Sequence, residues 1–189
     1  MAAKTKVLLL MVIFILAALA AGCTPAAPSS ATPGQEVDKE QSVQSSMGTA
    51  DTMRLTVYYA TADAMYLSPE VKVVPKTDHP AQNAMELLLQ DPKSHELVKV
   101  MPDGTKIRGL TIKDHVAFVD FNDKLAKNNG GGSTTEMLIV GAIVNTLTEF
   151  PDIHKVQILV EGKKVDTLSG HMDLSEPLSR SEKIVKKSL

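Results

Sequence analysis

No tryptophan occurs in the 189 residues, and phenylalanine and tyrosine are few. With a formal net charge of −2 there is no basic surplus either. A general nucleic-acid binder needs a basic face and stacking aromatics, so that class is excluded. Cys23 is the only cysteine, so no intramolecular disulfide is available. His79, His95, His115, His154 and His171 are scattered, and neither HxxxH nor HExxH spacing occurs, which leaves a zinc hydrolase little support. No Gly-x-Ser-x-Gly is present to carry an acyl-transfer serine. What remains is bland. His171 and Asp173 read as surface polar residues in a turn rather than metal ligands. Gly130, Gly131 and Gly132 before Ser133 permit a sharp turn, although free N–H groups at a helix start also suit an anion. Asp120 and Asp123 read as loop carboxylates, not an acid–base pair. The expectation is a chain without enzymatic activity, cofactor or metal.

What is present begins at the N-terminus. Lys4 and Lys6 precede an uninterrupted apolar run from Val7 to Ala21. At about 15 residues the run is short for a membrane span of about 20 and suits a secretory signal. It ends in Ala20-Ala21-Gly22-Cys23, which resembles a lipobox, with Ala20 where leucine is usual. Residues 1–22 are read as a lipoprotein signal peptide and Cys23 as the lipidation site. A diacylglycerol with acyl chains of the palmitate type gives the two chains that stable anchoring requires. The expected location is extracytoplasmic, anchored to the cell membrane through Cys23. Residues 23–51, rich in Pro, Ser, Ala, Gln and Thr, read as the lipidated cysteine and a flexible tether, with a mean reach on the order of 30 Å.

Patterning starts at about residue 52. Leu55, Val57 and Tyr59 alternate with Arg54, Thr56 and Tyr58 as a first strand, and Leu67, Val71 and Val73 continue as an extended arm that Pro69 assigns to an edge. Pro80 opens a helix with a stripe of Ala81, Ala84, Met85 and Leu88. Two apolar runs joined at Lys113-Asp114 predict a hairpin from Ile107 to Phe121. Ser133 and Glu136 stand at capping-box spacing. Met137, Val140, Val144 and Leu147 then recur at helical spacing, with Thr134, Asn145, Thr148 and Glu149 on a narrower polar side and Pro151 closing the helix. Val156, Ile158 and Val160 alternate with Lys155 and Gln157 as a last strand. The order strand-helix-strand-strand-helix-strand predicts one α+β domain over residues 52–178, a two-layer sandwich with both helices on one face of a small mixed sheet. Residues 179–189 read as a polar, frayed C-terminal tail.

Several short stretches resemble the GerM-type (GerMN) domain of bacterial sporulation and germination lipoproteins. They are Leu55-Thr56-Val57-Tyr58-Tyr59, Ala84-Met85-Glu86-Leu87-Leu88, Met101-Pro102-Asp103-Gly104-Thr105, Val116-Ala117-Phe118-Val119-Asp120 and, most specifically, Asn145-Thr146-Leu147-Thr148-Glu149-Phe150-Pro151. The likeness runs from Leu55 to about Leu178. It implies an extracytoplasmic module similar to the ring-building domains of secretion machines, with no enzymatic residues to carry over. The spore-former member has two such domains in tandem, and this chain has one.

Joined to the residue-level reading, the resemblance favours a membrane-anchored assembly lipoprotein whose partners are envelope proteins or further copies of itself. A small-ligand-binding envelope lipoprotein is the alternative, and an envelope enzyme ranks third. Candidate partner-facing or structural polar positions are Asn145 in mid-helix, Thr148 near its end, and Tyr58 and Tyr66 beside the first strand and its arm.

Overall fold

A computed structural model describes residues 51–187, so the signal sequence, Cys23 and the tether lie outside the described residues. Strand β1 (Thr52–Thr61) and strand β2 (Leu67–Pro75) form a long antiparallel hairpin, registered from Thr52 opposite Pro75 to Ala60 opposite Leu67. Helix α1 (Pro80–Leu88) follows, with proline in its first turn, where the missing N–H costs nothing. It buries Ala81, Ala84, Met85 and Leu88, the stripe its periodicity predicts. The short strand β3 (Leu97–Val98) pairs with the end of β1. Strands β4 (Ile107–Lys113) and β5 (Val116–Phe121) make the second hairpin. Its connecting residues are Asp114 and His115, one position later than the sequence suggests, and both have positive φ, as a two-residue primed turn requires.

After the four-residue helix α2 (Lys124–Lys127) comes the central helix α3 (Ser133–Leu147). It connects β5 to strand β6 (Lys155–Val160), which lies parallel to β5, and a parallel pair needs such a crossover. Strand β7 (Lys163–Lys164) returns through Glu161 and Gly162, both at positive φ, and strand β8 (Leu178–Ser179) pairs with the start of β6. A single 3-10 turn over Glu182–Ile184 completes the described chain.

The fold is α+β. Three features differ from the sequence reading. First, the strands form two sheets, β2-β1-β3 and β4-β5-β6-β7 with β8 on β6, rather than one small sheet. The hairpin partner β2 occupies one side of β1, and on the other side a helix side chain, Thr146, accepts the Tyr58 N–H at 3.1 Å. Second, α3 is buried nearly all round: every residue from Leu138 to Leu147 is in the interior, Asn145 and Thr146 included. Such a helix lacks the one-sided pattern of a surface helix because something covers each face. Third, the cover on one side is the segment read as a frayed tail. Val185 bridges to Leu67 at the outer edge of β2, the Lys186 N–H donates to Leu67 O at 2.7 Å, and Ile184 lies over Gly141. A Cβ on Gly141 would stand 2.2 Å from Ile184 Cδ1, so a larger residue there would force the Ile184 side chain to turn aside. Gln157 is likewise interior rather than on a wet strand face, because the loop carrying Leu174 covers it, and its amide donates to Leu174 O at 2.9 Å.

Candidate functional site

The stretch Asn145–Glu149 at the end of α3 meets β1 and the C-terminal segment in one polar cluster. Asn145 is fully buried and makes a reciprocal pair with Ser181: its amide donates to Ser181 O at 2.9 Å, and Ser181 N–H donates to its Oδ1 at 3.0 Å. Thr146 satisfies the β1 edge, as above. Thr148 turns its hydroxyl back onto Val144 O at 2.8 Å, a local bond that helps close the helix. Glu149 accepts the Tyr58 hydroxyl at 2.8 Å and pairs with Arg180 at 2.7 Å. Arg180 also donates to the Tyr58 hydroxyl and to Asn145 O, pairs with Glu182, and lies 5.1 Å from the Tyr58 ring centre. Burial raises the Tyr58 phenol above its ordinary pKa, the Arg180 bond pulls it down, and Glu149 pushes it up again. The phenol therefore stays protonated at neutral pH and both donates and accepts.

Of the four polar candidates, the structure joins Asn145 and Tyr58 through Arg180, keeps Thr148 as a helix-end residue, and separates Tyr66, which is 45 % exposed at the β1–β2 turn. Cys23 lies outside the described residues. Thr146, Glu149 and Arg180 join the cluster beyond the four candidates. The charges of Glu149 and Arg180 were visible in the sequence, but their meeting depends on the tail's path.

A second cluster replaces the expected capping box. Gly132, not Ser133, is the N-cap, and the Glu136 side chain turns away from the helix start. Its Oε1 accepts the Thr167 hydroxyl at 2.6 Å and the N–H groups of Leu168 at 2.8 Å and Ser169 at 3.1 Å. Its Oε2 accepts the Ser169 hydroxyl at 3.0 Å and the His171 N–H at 2.9 Å. Burial pushes this carboxyl's pKa up, but the Thr167 hydroxyl and the three N–H groups outweigh it and hold the pKa down at about 2. Five donors on one buried carboxylate pin the 167–171 loop to α3.

The aspartates weighed in the sequence, Asp120, Asp123 and Asp173, are also engaged. Asp120 accepts the Gly162 N–H at 2.7 Å and pairs with Arg108 at 3.2 Å, and Asp123 pairs with Lys127. Asp173 accepts both the N–H and the hydroxyl of Ser175. His115 and His154 stack at 4.4 Å between ring centres. Among the described residues no group of three or more His, Cys, Asp or Glu is placed to hold a metal ion. An apolar groove of about 360 Å³ runs between α3 and the C-terminal segment, lined by Met137, Val140, Val144, Met172, Leu178 and Ile184. The polar groups at its rim, Asn145 and Ser181, already bond each other.

A family model, Germane, described as sporulation and spore germination, matches residues 56–166. The chain belongs to this family and carries a GerM-like sporulation and germination domain. It is 25 % identical over 164 residues to the spore germination protein GerM of Bacillus subtilis (strain 168), covering 84 % of this chain and 44 % of that protein. The chain thus spans less than half the length of this curated relative. The first GerMN domain of the same protein has a solved structure that superposes with a TM-score of 0.59 at 24 % identity, over 68 % of this chain and 98 % of that one. A Clostridium perfringens protein described as a candidate lipoprotein superposes with a TM-score of 0.50 at 27 % identity, over 68 % of this chain and 88 % of that one.

Proposed function

We propose that the chain is an exported, lipid-anchored protein whose GerMN-type domain acts as a non-catalytic assembly module in a sporulation or other envelope complex. The observation that carries this reading is the family match over residues 56–166, which takes in Tyr58, Asn145 and Glu149 of a polar cluster whose members are mutually bonded rather than turned toward a substrate. The lipobox-like Ala20-Ala21-Gly22-Cys23 and the candidate-lipoprotein relative support the anchor.

The partner edge is the outer side of β2. Leu67 O on that edge takes a bond from the tail, and with a period of two Val71 and Val73 turn their backbone groups the same way. Val71 and Val73 are 42 % and 58 % exposed. Pro69 and Pro75 bound the pair, so the edge accepts a short added strand and resists open-ended pairing.

The test is cross-linking in living cells with a photoreactive residue replacing Val73, followed by mass spectrometry. Adducts with envelope proteins, or a self-adduct ladder, are expected. Monomer alone, where a known envelope complex cross-links in the same cells, refutes the assembly reading. Separately, Cys23→Ala is expected to abolish acyl labelling; labelling that persists in this variant refutes lipidation at that position.

A further inference from the structure

The β1–β2 turn and the last described residues form one surface of unusual composition. Met65 and Tyr66 stand 56 % and 45 % exposed on the turn, large side chains that present apolar surface to solvent. Turn geometry fixes them there: Thr61 N–H donates to Tyr66 O at 2.9 Å, Tyr66 N–H donates to the Thr61 hydroxyl at 3.2 Å, and Asp63 accepts the Met65 N–H at 3.1 Å. The C-terminal segment arrives beside them through the Val185–Leu67 bridge, and Tyr66, Lys183, Val185, Lys186 and Lys187 line one shallow depression. Lys183, Lys186 and Lys187 are exposed, and among the described residues none has a carboxylate within 4.0 Å. Beside them, Glu182 pairs with Arg180, and Asp63 accepts the Thr61 hydroxyl and the Met65 N–H while feeling the Lys186 charge, which leaves Lys183 and Lys187, among the described residues, without a carboxylate acting on them in the same way.

We propose that this tip rests on an anionic phospholipid surface, with Tyr66 and Met65 entering the headgroup region and Lys183, Lys186 and Lys187 around them pairing with lipid phosphates. An aromatic ring with a polar end suits the membrane interface. Lysine heads reach phosphate while their stems cover apolar surface. The mildly acidic chain as a whole gives no such attraction, so the contact is confined to this tip and orients the domain. The inference rests on the reading of the protein as membrane-held and adds a second, reversible contact, made by the folded body itself.

Because the chain has no tryptophan, Tyr66→Trp creates a single fluorescent probe at the tip, and Ile112→Trp, on exposed β4, creates a control. The full-length protein is reconstituted in vesicles containing brominated lipid, with phosphatidylglycerol either included or replaced by phosphatidylcholine. Quenching is expected at position 66 in phosphatidylglycerol only, and at position 112 in neither. Lys183→Gln, Lys186→Gln and Lys187→Gln together should shift the docked-to-undocked ratio by on the order of 100-fold, since each lysine near an anionic surface contributes about fivefold. Unchanged far-UV circular dichroism shows that the triple variant remains folded. Absent quenching at position 66, or quenching that ignores lipid charge and the lysines, overturns the proposal. Quenching that appears only at high surface density assigns the tip to a second copy and overturns it as well. Acylation of Cys23 is read by mass spectrometry on the same samples, so loss of the anchor and loss of the contact are separate results.

Discussion

Gly141→Ala tests whether the C-terminal segment is part of the folded body. In the interior of a helix this exchange ordinarily stabilises by roughly 0.5–1 kcal/mol, because glycine loses more backbone freedom on folding. Here the added Cβ would stand 2.2 Å from Ile184 Cδ1 and 3.1 Å from Leu67 Cδ1. Ordinary carbon contacts begin at about 3.5 Å, so Ile184 must retreat by more than an ångström while Leu67 gives a few tenths. Ile184 is half-buried and its Cδ1 is the far end of a flexible side chain, so the side chain turns out of its place on α3. Turning out forfeits roughly 1 kcal/mol of partial burial, and the close approach to Leu67 adds a small strain, which together offset the helix gain. The net expectation is a change of about 0–1 kcal/mol toward destabilisation.

Ile184→Ala removes the clashing atoms, and in that background Gly141→Ala should be neutral or stabilising by up to about 1 kcal/mol. The difference between the two backgrounds is the diagnostic, a coupling within the usual range of about 0.5–3 kcal/mol for residues in contact. Urea unfolding of the full-length protein and the three variants, followed by circular dichroism, measures all four corners of the cycle. If Gly141→Ala stabilises equally with and without Ile184, the segment does not lie on α3, and the account of the tail is wrong.

Three further outcomes follow from the polar clusters. Asn145→Ala removes both bonds to Ser181 and leaves that residue's N–H and C=O without their partner; a loss of about 1–3 kcal/mol is expected, with faster amide exchange at Ser181 than elsewhere in the domain. Tyr58→Phe keeps the ring and leaves the Arg180–Glu149 pair, so it should cost only about 1 kcal/mol, and a cost several times larger would mean that the hydroxyl organises the whole cluster. The Glu136 carboxyl, lowered to about 2 from an ordinary value of 4.5, contributes stability that is present above pH 4.5 and is lost as the pH falls through 2. That contribution is on the order of 3 kcal/mol, so Glu136→Gln should destabilise at pH 7 and flatten the acid limb of the pH–stability curve. An acid limb identical to that of the unaltered protein would contradict the assignment.

The elements legible in the sequence are those fixed by nearest neighbours. Period-two runs gave β1, the β4–β5 hairpin and β6; Pro69 assigned β2 to an edge; and the 3.6-residue stripe after Pro80 gave α1 with its buried residues. The misread features depend on segments far along the chain. Glu136 and Ser133 have the spacing of a local cap, yet the carboxylate has five donors 31 to 35 residues later, more than a single reciprocal cap bond offers. Asn145, a partner-facing or structural position by sequence, has its structural partner in Ser181, which only the path of the tail brings to it. Gln157 alternates as a surface residue does, but a loop ending at Leu174 covers it. The tail's composition is polar, and Ile184 and Val185 alone are too short an apolar signal to announce a packing surface.

This division also bears on where a partner would bind. In Asn145-Thr146-Leu147-Thr148-Glu149, the stretch most like the family, Asn145 and Glu149 reach the C-terminal segment, Thr146 caps the β1 edge, Leu147 is core and Thr148 closes its own helix. Every one of these side chains is occupied inside the domain. A motif used internally identifies the fold well and the partner poorly. Val71 and Val73 on β2 and Met65 and Tyr66 at its turn, exposed apolar groups, lie outside the short stretches that carry the resemblance, although within the matched residues 56–166. If binding resides there, substitutions in the Asn145–Glu149 stretch should lower stability without a separate effect on partner capture. Val73→Glu should do the reverse: unfolding unchanged to within about 0.5 kcal/mol, as for a surface site, and cross-linking lost.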